Sequence, residues 1–308
     1  MRDDLWEAVR RQPDDDAPRL VLADALIEHG DPRGEFIALQ LRPEPWSRAD
    51  LARQRRLLKL HEKEWLGPVA LVTTKASRIW RRGFLDDCTF WPKRGQVPAA
   101  VGHPAWAGVR RFTLDATDGG ARELLMHPVM RGLRFLHGGA EPVIEALAQA
   151  SQPFAIEELS GAFIDDDGLW HSLLDPVGMP SLRTLQFTFW YGADDDPTKL
   201  RPIWKSRLGR QLDVLRLKLY PFYFRDWATE ILAHAPMAVE IDLNAWMRIE
   251  KKRLVVWPSD SDLRASEIKT IVAESLKVLP AKRFDTVEIH DDLRSPSVDR
   301  QANRLRGR

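Results

Sequence analysis

One cysteine, Cys88, occurs in 308 residues. A lone thiol excludes an intramolecular disulfide framework, a CxxC redox pair and any multi-cysteine zinc site, and it fits a reducing compartment. No stretch approaches the ~18 uninterrupted apolar residues of a membrane span. The start, Met1-Arg2-Asp3-Asp4-Leu5-Trp6, lacks the apolar run of a secretory signal. A cytoplasmic protein without a membrane partner is expected. Charge of one sign is also missing: 46 Lys and Arg face 45 Asp and Glu, for a formal charge of +1. No overall field draws the chain to nucleic acid or anionic lipid, so charged recognition has to be local.

Chemical motifs are equally scarce. Neither G-x-x-x-x-G-K-[ST] nor G-x-G-x-x-G occurs, which removes the phosphate loops of NTPases and dinucleotide enzymes. His61-Glu62 opens like a zinc-protease motif, but position 65 is Trp and the second metal ligand is missing. The histidines are scattered singly. The chain is therefore expected to be no enzyme, with no catalytic residues, no metal site and no cofactor. Arginine outnumbers lysine, which fits guanidinium recognition of phosphate, but the residue usage of a GC-rich genome gives the same bias and is the preferred reading. The basic groups Arg53 to Arg56, Arg81-Arg82 and Lys251 to Arg253 are separated and lack interleaved surface aromatics, so nucleic acid is set aside as a partner.

What is present is a core-sized apolar share, 44%, and twelve tryptophans spread along the chain. The first third reads as helical. Leu5, Ala8 and Val9 repeat at helical spacing before Pro13, and Leu20, Ala23, Leu26 and Ile27 after Pro18. Asp14, Asp15 and Asp16 stand where a helix N-terminus wants negative side chains, so capping is their expected role. Gly30-Asp31-Pro32 punctuates the second helix, and Phe36, Ile37, Leu39 and Leu41 form a third stripe. A further helix runs from Ser47, a good N-cap, to Trp65, and ends at Gly67-Pro68.

The string Pro13-Asp14-Asp15-Asp16-Ala17-Pro18-Arg19-Leu20-Val21-Leu22-Ala23-Asp24, continuing through Gly30-Asp31-Pro32-Arg33-Gly34-Glu35-Phe36-Ile37, closely resembles the repeat-companion domain found at the amino end of many bacterial leucine-rich-repeat proteins. The resemblance covers roughly residues 1 to 66. Ala25 stands where that family commonly has a tryptophan, a departure that would alter packing. Arg81-Arg82-Gly83-Phe84 also looks like the family's junction into the repeats. The resemblance implies architecture and neighbours, and no activity for named residues.

Independently of it, the pattern L-x-x-L-x-L recurs at Leu85/Cys88/Phe90, Val109/Phe112/Leu114, Ile156/Leu159/Gly161, Leu182/Leu185/Phe187, Leu212/Leu215/Leu217 and Ala238/Ile241/Leu243. A degenerate copy, Leu133/Leu136/Gly138, fills the one gap. The starts lie 24, 24, 23, 26, 30 and 26 residues apart, close to the ~20–29 of leucine-rich repeats. Each strand is followed by a helical stripe, such as Val143, Ile144, Leu147 and Ala148. The expected fold is α/β: a leucine-rich-repeat solenoid with short parallel strands on the concave face and helices on the convex face, preceded by a small all-helical domain. Its expected segments are a helical domain over 1–66, a connector over 67–84, the degenerate repeats with a carboxy-terminal cap over 85–291, and a mobile, Arg-rich tail over 292–308. The cap comprises a hairpin near 247–257, a helix over 266–279 and a last strand at Phe284/Val287/Ile289. Cys88 falls on an inward position and reads as a small core residue.

Three residues after the last L, where such repeats keep an asparagine, the later repeats carry Trp190, Tyr220 and Trp246. These either fill the interior or form an exposed stacking surface. Alternate strand residues point to one face, so Trp91, Arg111, Thr113, Phe135, His137, Glu158, Thr184, Gln186, Arg216, Lys218, Glu240 and Asp242 are the candidate binding residues. Trp91, Arg111, Phe135 and Arg216 lead on hot-spot composition. A mixed polar surface with a few aromatics suits a protein partner. The expected function is a non-enzymatic scaffold or adaptor. The runner-up is a regulatory, sensor or target subunit of a bacterial signalling or defence complex that engages an effector enzyme.

Overall fold

The computed structural model describes residues 2–114, 120–164, 169–189, 196–260 and 262–307. It is a mixed α/β protein with eleven strands and fourteen α-helices among those residues. The chain divides into two compact units, 1–146 with 153–156 and 147–152 with 157–308. The expected segment limits at 66 and 84 are not where the units part, because the amino-terminal helices share a unit with the first strands. No helix among the described residues is long and apolar enough to cross a membrane.

The first unit begins with α1 (Arg2–Arg11), α2 (Ala17–Glu28), α3 (Pro32–Gln40) and α4 (Arg48–Leu66). Their ends follow local chemistry. Asp31 accepts from the Arg33 backbone N–H to cap α3, with Pro32 in the first turn, and Ser47 and Asp50 form a capping box on α4. Helix α3 lies close on α2 because Gly34 has no side chain: a Cβ there would sit 2.5 Å from the Ala23 carbonyl oxygen and 2.7 Å from the Ile27 nitrogen. The resulting core buries Val9, Leu22, Ala23, Leu26 and Ile37, of which the valine, leucines and isoleucine are each worth up to ~1.5–3 kcal/mol on removal from water.

Four strands follow in this unit: β1 (Ile79–Arg81), β2 (Phe84–Phe90), β3 (Arg111–Leu114) and β4 (Phe135–His137). A two-residue turn at Arg82 and Gly83, both with positive φ, joins β1 to β2 as an antiparallel hairpin. From β2 to β4 the pairing is parallel. The second unit holds β5 (Glu158–Ile164), β6 (Thr184–Phe189), β7 (Val214–Lys218), β8 (Ala238–Asp242), β9 (Ala245–Glu250), β10 (Arg253–Pro258) and β11 (Thr286–Ile289). Here β5 to β8 pair in parallel, β8, β9 and β10 are antiparallel, and β11 returns parallel to β10. In each unit the strands follow chain order.

The register tests the repeat spacing residue by residue. Asp87 pairs with Arg111 and Arg111 with Phe135. Glu158 pairs with Thr184 and Thr184 with Val214. These are the same offset in successive copies. The apolar positions between them, including Leu85, Cys88, Phe112, Leu136, Leu159, Leu185 and Leu215, are buried. Two copies need correction. Val214 pairs with Ala238 rather than Glu240, so the last copy starts at 236 and its spacing is 24, not 26. A strand repeats every two residues, so a slip of two leaves the same side chains on the same face and escapes the hydrophobic pattern. In β5 a bulge between Leu159 and Ala162 sets Ala162, not Gly161, opposite Phe187.

The segment 292–308, expected to be mobile, instead contains the helix Pro296–Arg306 with Val298, Ala302 and Leu305 buried. Arg304 donates from Nη2 to the carbonyls of Leu276 and Leu279, at 2.8 and 2.9 Å. Spaced i, i+4 and i+7 among polar residues, three apolar side chains make a narrow stripe. Two of the three residues of the aromatic column are described, and neither is buried. Tyr220 is exposed, and Trp246 pairs with Asp242 on β9, on the polar face, where it stacks on Trp257 with ring centroids 6.3 Å apart. Trp190 lies outside the described residues.

Candidate functional site

The expected binding residues fall into two sets. In the first unit, Arg111 lies 4.1 Å from the Phe135 ring centroid, a cation–π contact, and 3.8 Å from the Asp87 carboxylate. Burial raises the Asp87 carboxyl above its usual value against the opposing charge of Arg111. Thr113 pairs in register with His137, which is exposed. Trp91, one residue past β2, is 59% exposed. Its indole is held out by the strand end, where its backbone N–H donates to the Val72 carbonyl at 2.9 Å.

In the second unit the polar face carries a ladder of alternating charge. Arg216 reaches Glu240 at 2.8 Å and Glu158 at 3.2 Å. Arg248 reaches the other Glu240 oxygen at 3.0 Å and Glu250 at 3.2 Å. Gln186, Arg216, Glu240 and Arg248 are directly opposed across four strands. Glu240 is only 7% exposed, so its two guanidinium partners are needed to hold its charge. Asp242 accepts from the Asn244 backbone N–H, and Lys218, opposite Asp242, is exposed. Thr184 and Gln186 are half-buried between the charged positions. Arg216 is thus engaged by carboxylates of its own unit, whereas Lys218 is exposed. Arg248 and Glu250 belong to the ladder but not to the repeat pattern. Continuing the alternation from Trp246 along the hairpin would have placed them on this face.

Two features of the amino-terminal motif were not legible as a site. Asp14, expected as a helix cap, bridges Arg110 and Arg134 at 2.7 Å each. Burial pulls its carboxyl upward, but the hydrogen bond and charge of Arg110, with the charges of Arg134 and Arg82, hold it below its usual value. The N-cap residue of α2, Asp16, makes no side-chain cap hydrogen bond, and Asp15 just before it accepts from the Ala17 N–H at 2.9 Å.

The second feature is a cavity of about 460 Å³ lined by Trp6, Arg10, Asp31, Arg33, Trp65, Phe84, His103, Pro104 and Ala105. Arg33 is 7% exposed, and its guanidinium carbon lies 4.9 to 5.7 Å from the ring centroids of Trp65, Trp80, Phe84 and Trp6. Its Nε is buried with no hydrogen-bond acceptor. Burial lowers the guanidinium to about 10, and Asp31, already the cap acceptor of α3, only partly offsets this. Arg19, 5.4 Å from the Phe84 centroid, also has a buried Nε without an acceptor, but its Nη1 and Nη2 donate to the carbonyls of Asp15 and Pro13, each at 2.7 Å. The aromatic partners of Arg33 come from positions 6, 65, 80 and 84, so no local signal in the sequence announces them.

Among the described residues no group of three His, Cys, Asp or Glu side chains could hold a metal ion. Cys88 is fully buried, and burial drives its thiol far above the range in which it would ionise. Comparison with protein-family models, with curated proteins and with solved structures finds no match.

Proposed function

We propose that this chain is a cytoplasmic repeat protein of the leucine-rich type, headed by a repeat-companion segment, that acts as a scaffold or adaptor by binding a protein on the polar face of its strands. One observation carries the reading: same-offset residues pair from strand to strand in each unit, with buried apolar residues between them and a polar row facing away from the core. Stacked strands of this kind align side chains at regular intervals, which suits recognition of an extended protein surface. The contact residues are Trp91, Arg111, Phe135, His137 and Lys218, whose side chains leave aromatic surface, charge or hydrogen-bonding groups toward solvent. Glu158, Arg216, Glu240 and Arg248 set the charge pattern that a partner meets.

A photo-crosslinking residue placed at Phe135 or at Lys218 tests this in the native host, with Leu60, 63% exposed on α4, as the control position. Discrete adducts are expected at the first two positions and not at Leu60, and those at Phe135 disappear on Trp91→Ala with Arg111→Ala. Adducts at Phe135 unaffected by those two substitutions, or none at 135 and 218, overturn the reading.

A further inference from the structure

We propose that the cavity at Arg33 is a binding site for a small organic carboxylate with an apolar body. A buried guanidinium is normally held by carboxylates or carbonyl oxygens, because taking its charge from water is costly unless it is hydrogen-bonded. Arg33 has neither at its buried Nε. Around it stand four aromatic rings, which favour the cation through their quadrupoles and leave its Nε without an acceptor. A planar carboxylate is the group that matches a guanidinium fork two oxygens at a time.

The rest of the cavity fits the same ligand. Its volume of about 460 Å³ is that of a small-molecule site, and Trp6, Trp65, Phe84 and Pro104 supply an apolar wall. His103 accepts from the Ala105 backbone N–H at Nδ1, at 3.2 Å, which leaves its proton on Nε2 and makes that nitrogen a donor. Burial lowers its pKa, so the ring is held neutral rather than cationic. Arg10 adds a second positive charge, tempered by its pairing with Glu7 at 2.8 Å. A highly charged anion such as phosphate would find one buried guanidinium and much apolar surface. A monocarboxylate carrying a ring or short chain finds both halves of its chemistry.

The full chain is titrated with phenylacetate, acetate and inorganic phosphate, followed by tryptophan fluorescence and thermal midpoint. Trp6 and Trp65 line the site, so phenylacetate is expected to change the emission, and to raise the midpoint by about 3 °C at ten times its dissociation constant. Acetate binds more weakly because it lacks the apolar body. Arg33→Met weakens phenylacetate binding by about tenfold or more, as expected for loss of charge-assisted hydrogen bonds. Ala105→Trp keeps Arg33 and fills the cavity, so it removes binding even if the Met variant folds poorly. Phosphate binding more tightly than phenylacetate, equal phenylacetate binding by both variants and the wild type, or no response to any of the three probes would overturn the proposal.

Discussion

Two arginines in this protein are placed in opposite ways. Arg216, in the second unit, stands between two carboxylates at 2.8 and 3.2 Å. Arg33, in the first, is more deeply buried and meets aromatic faces with its Nε unanswered. The charge of Arg216 is balanced by its own sheet, so it contributes to holding that sheet together. The charge of Arg33 is balanced by little in the fold, and its value lies in what it can bind. A buried ion without a full set of partners lowers stability, and such groups are retained where function needs them.

The largest expected effect comes from breaking the ladder. Arg216→Ala leaves Glu240 with one guanidinium and Glu158 with none, and is expected to lower stability by about 2 kcal/mol in urea unfolding followed by circular dichroism. Arg216→Ala with Glu240→Gln is expected to lose less than the sum of the two single changes, since removing the carboxylate removes the stranded charge. Additive losses would mean that the two side chains do not act together.

A smaller loss, about 1 kcal/mol, is expected for Asp14→Ala, because its two ion pairs reach into solvent. This substitution separates two meanings of the Asp14-Asp15-Asp16 run. If Asp14 mattered as a cap, Arg110→Ala in the Asp14→Ala background would add a full further loss. If it acts through Arg110 and Arg134, the second change adds only the loss of the Arg110 bond to the Pro13 carbonyl.

Glu230 gives a pH arm to the comparison. It is 6% exposed, and it accepts from Arg201 Nε and Nη2 at 3.1 Å each. The hydrogen bond from Arg201 holds its carboxyl below the ordinary value of 4.5, against burial, with help from the charges of Arg201 and His234. A lowered folded pKa stabilises fully above the unfolded value and ceases to do so as pH falls through the folded one. The stability advantage of wild type over Glu230→Gln is therefore expected to be constant near neutrality and to shrink on acidification below about 4.5. An advantage that persists unchanged at pH 3 would assign the difference to packing.

The repeat was legible because burial imposes a period. Leu85, Phe112, Leu136, Leu159 and Leu185 each occupy a position that only an apolar side chain can fill, at nearly constant spacing. The two-residue slip at Ala238 was invisible for the same reason, as both registers bury the same face. The polar face could be enumerated from alternation alone, yet its internal pairing could not. Whether Arg216 is available or engaged depends on Glu158 and Glu240, 58 residues before it and 24 after it. The helix Pro296–Arg306 was hidden by composition, since three apolar residues hold it while most of the rest are charged or polar. The Arg33 cavity was hidden by distance: the motif contributes the arginine, the glycine that lets α3 approach α2, and the capping Asp31, while its four rings lie 27 to 51 residues away.

The smallest expected stability change is the most telling. Arg33→Met replaces a guanidinium by an apolar chain that reaches most of the same space among Trp6, Trp65, Trp80 and Phe84. It gives up cation–π attraction, and it removes the cost of burying a charge whose Nε has no acceptor. The two terms oppose, and a methionine sulfur on aromatic faces recovers part of the first. Wild type and variant are therefore expected to unfold within about 1 kcal/mol of each other at pH 7. A loss of several kcal/mol at neutral pH would place Arg33 beside Arg216 as a strut of the fold, and the contrast between the two units would disappear.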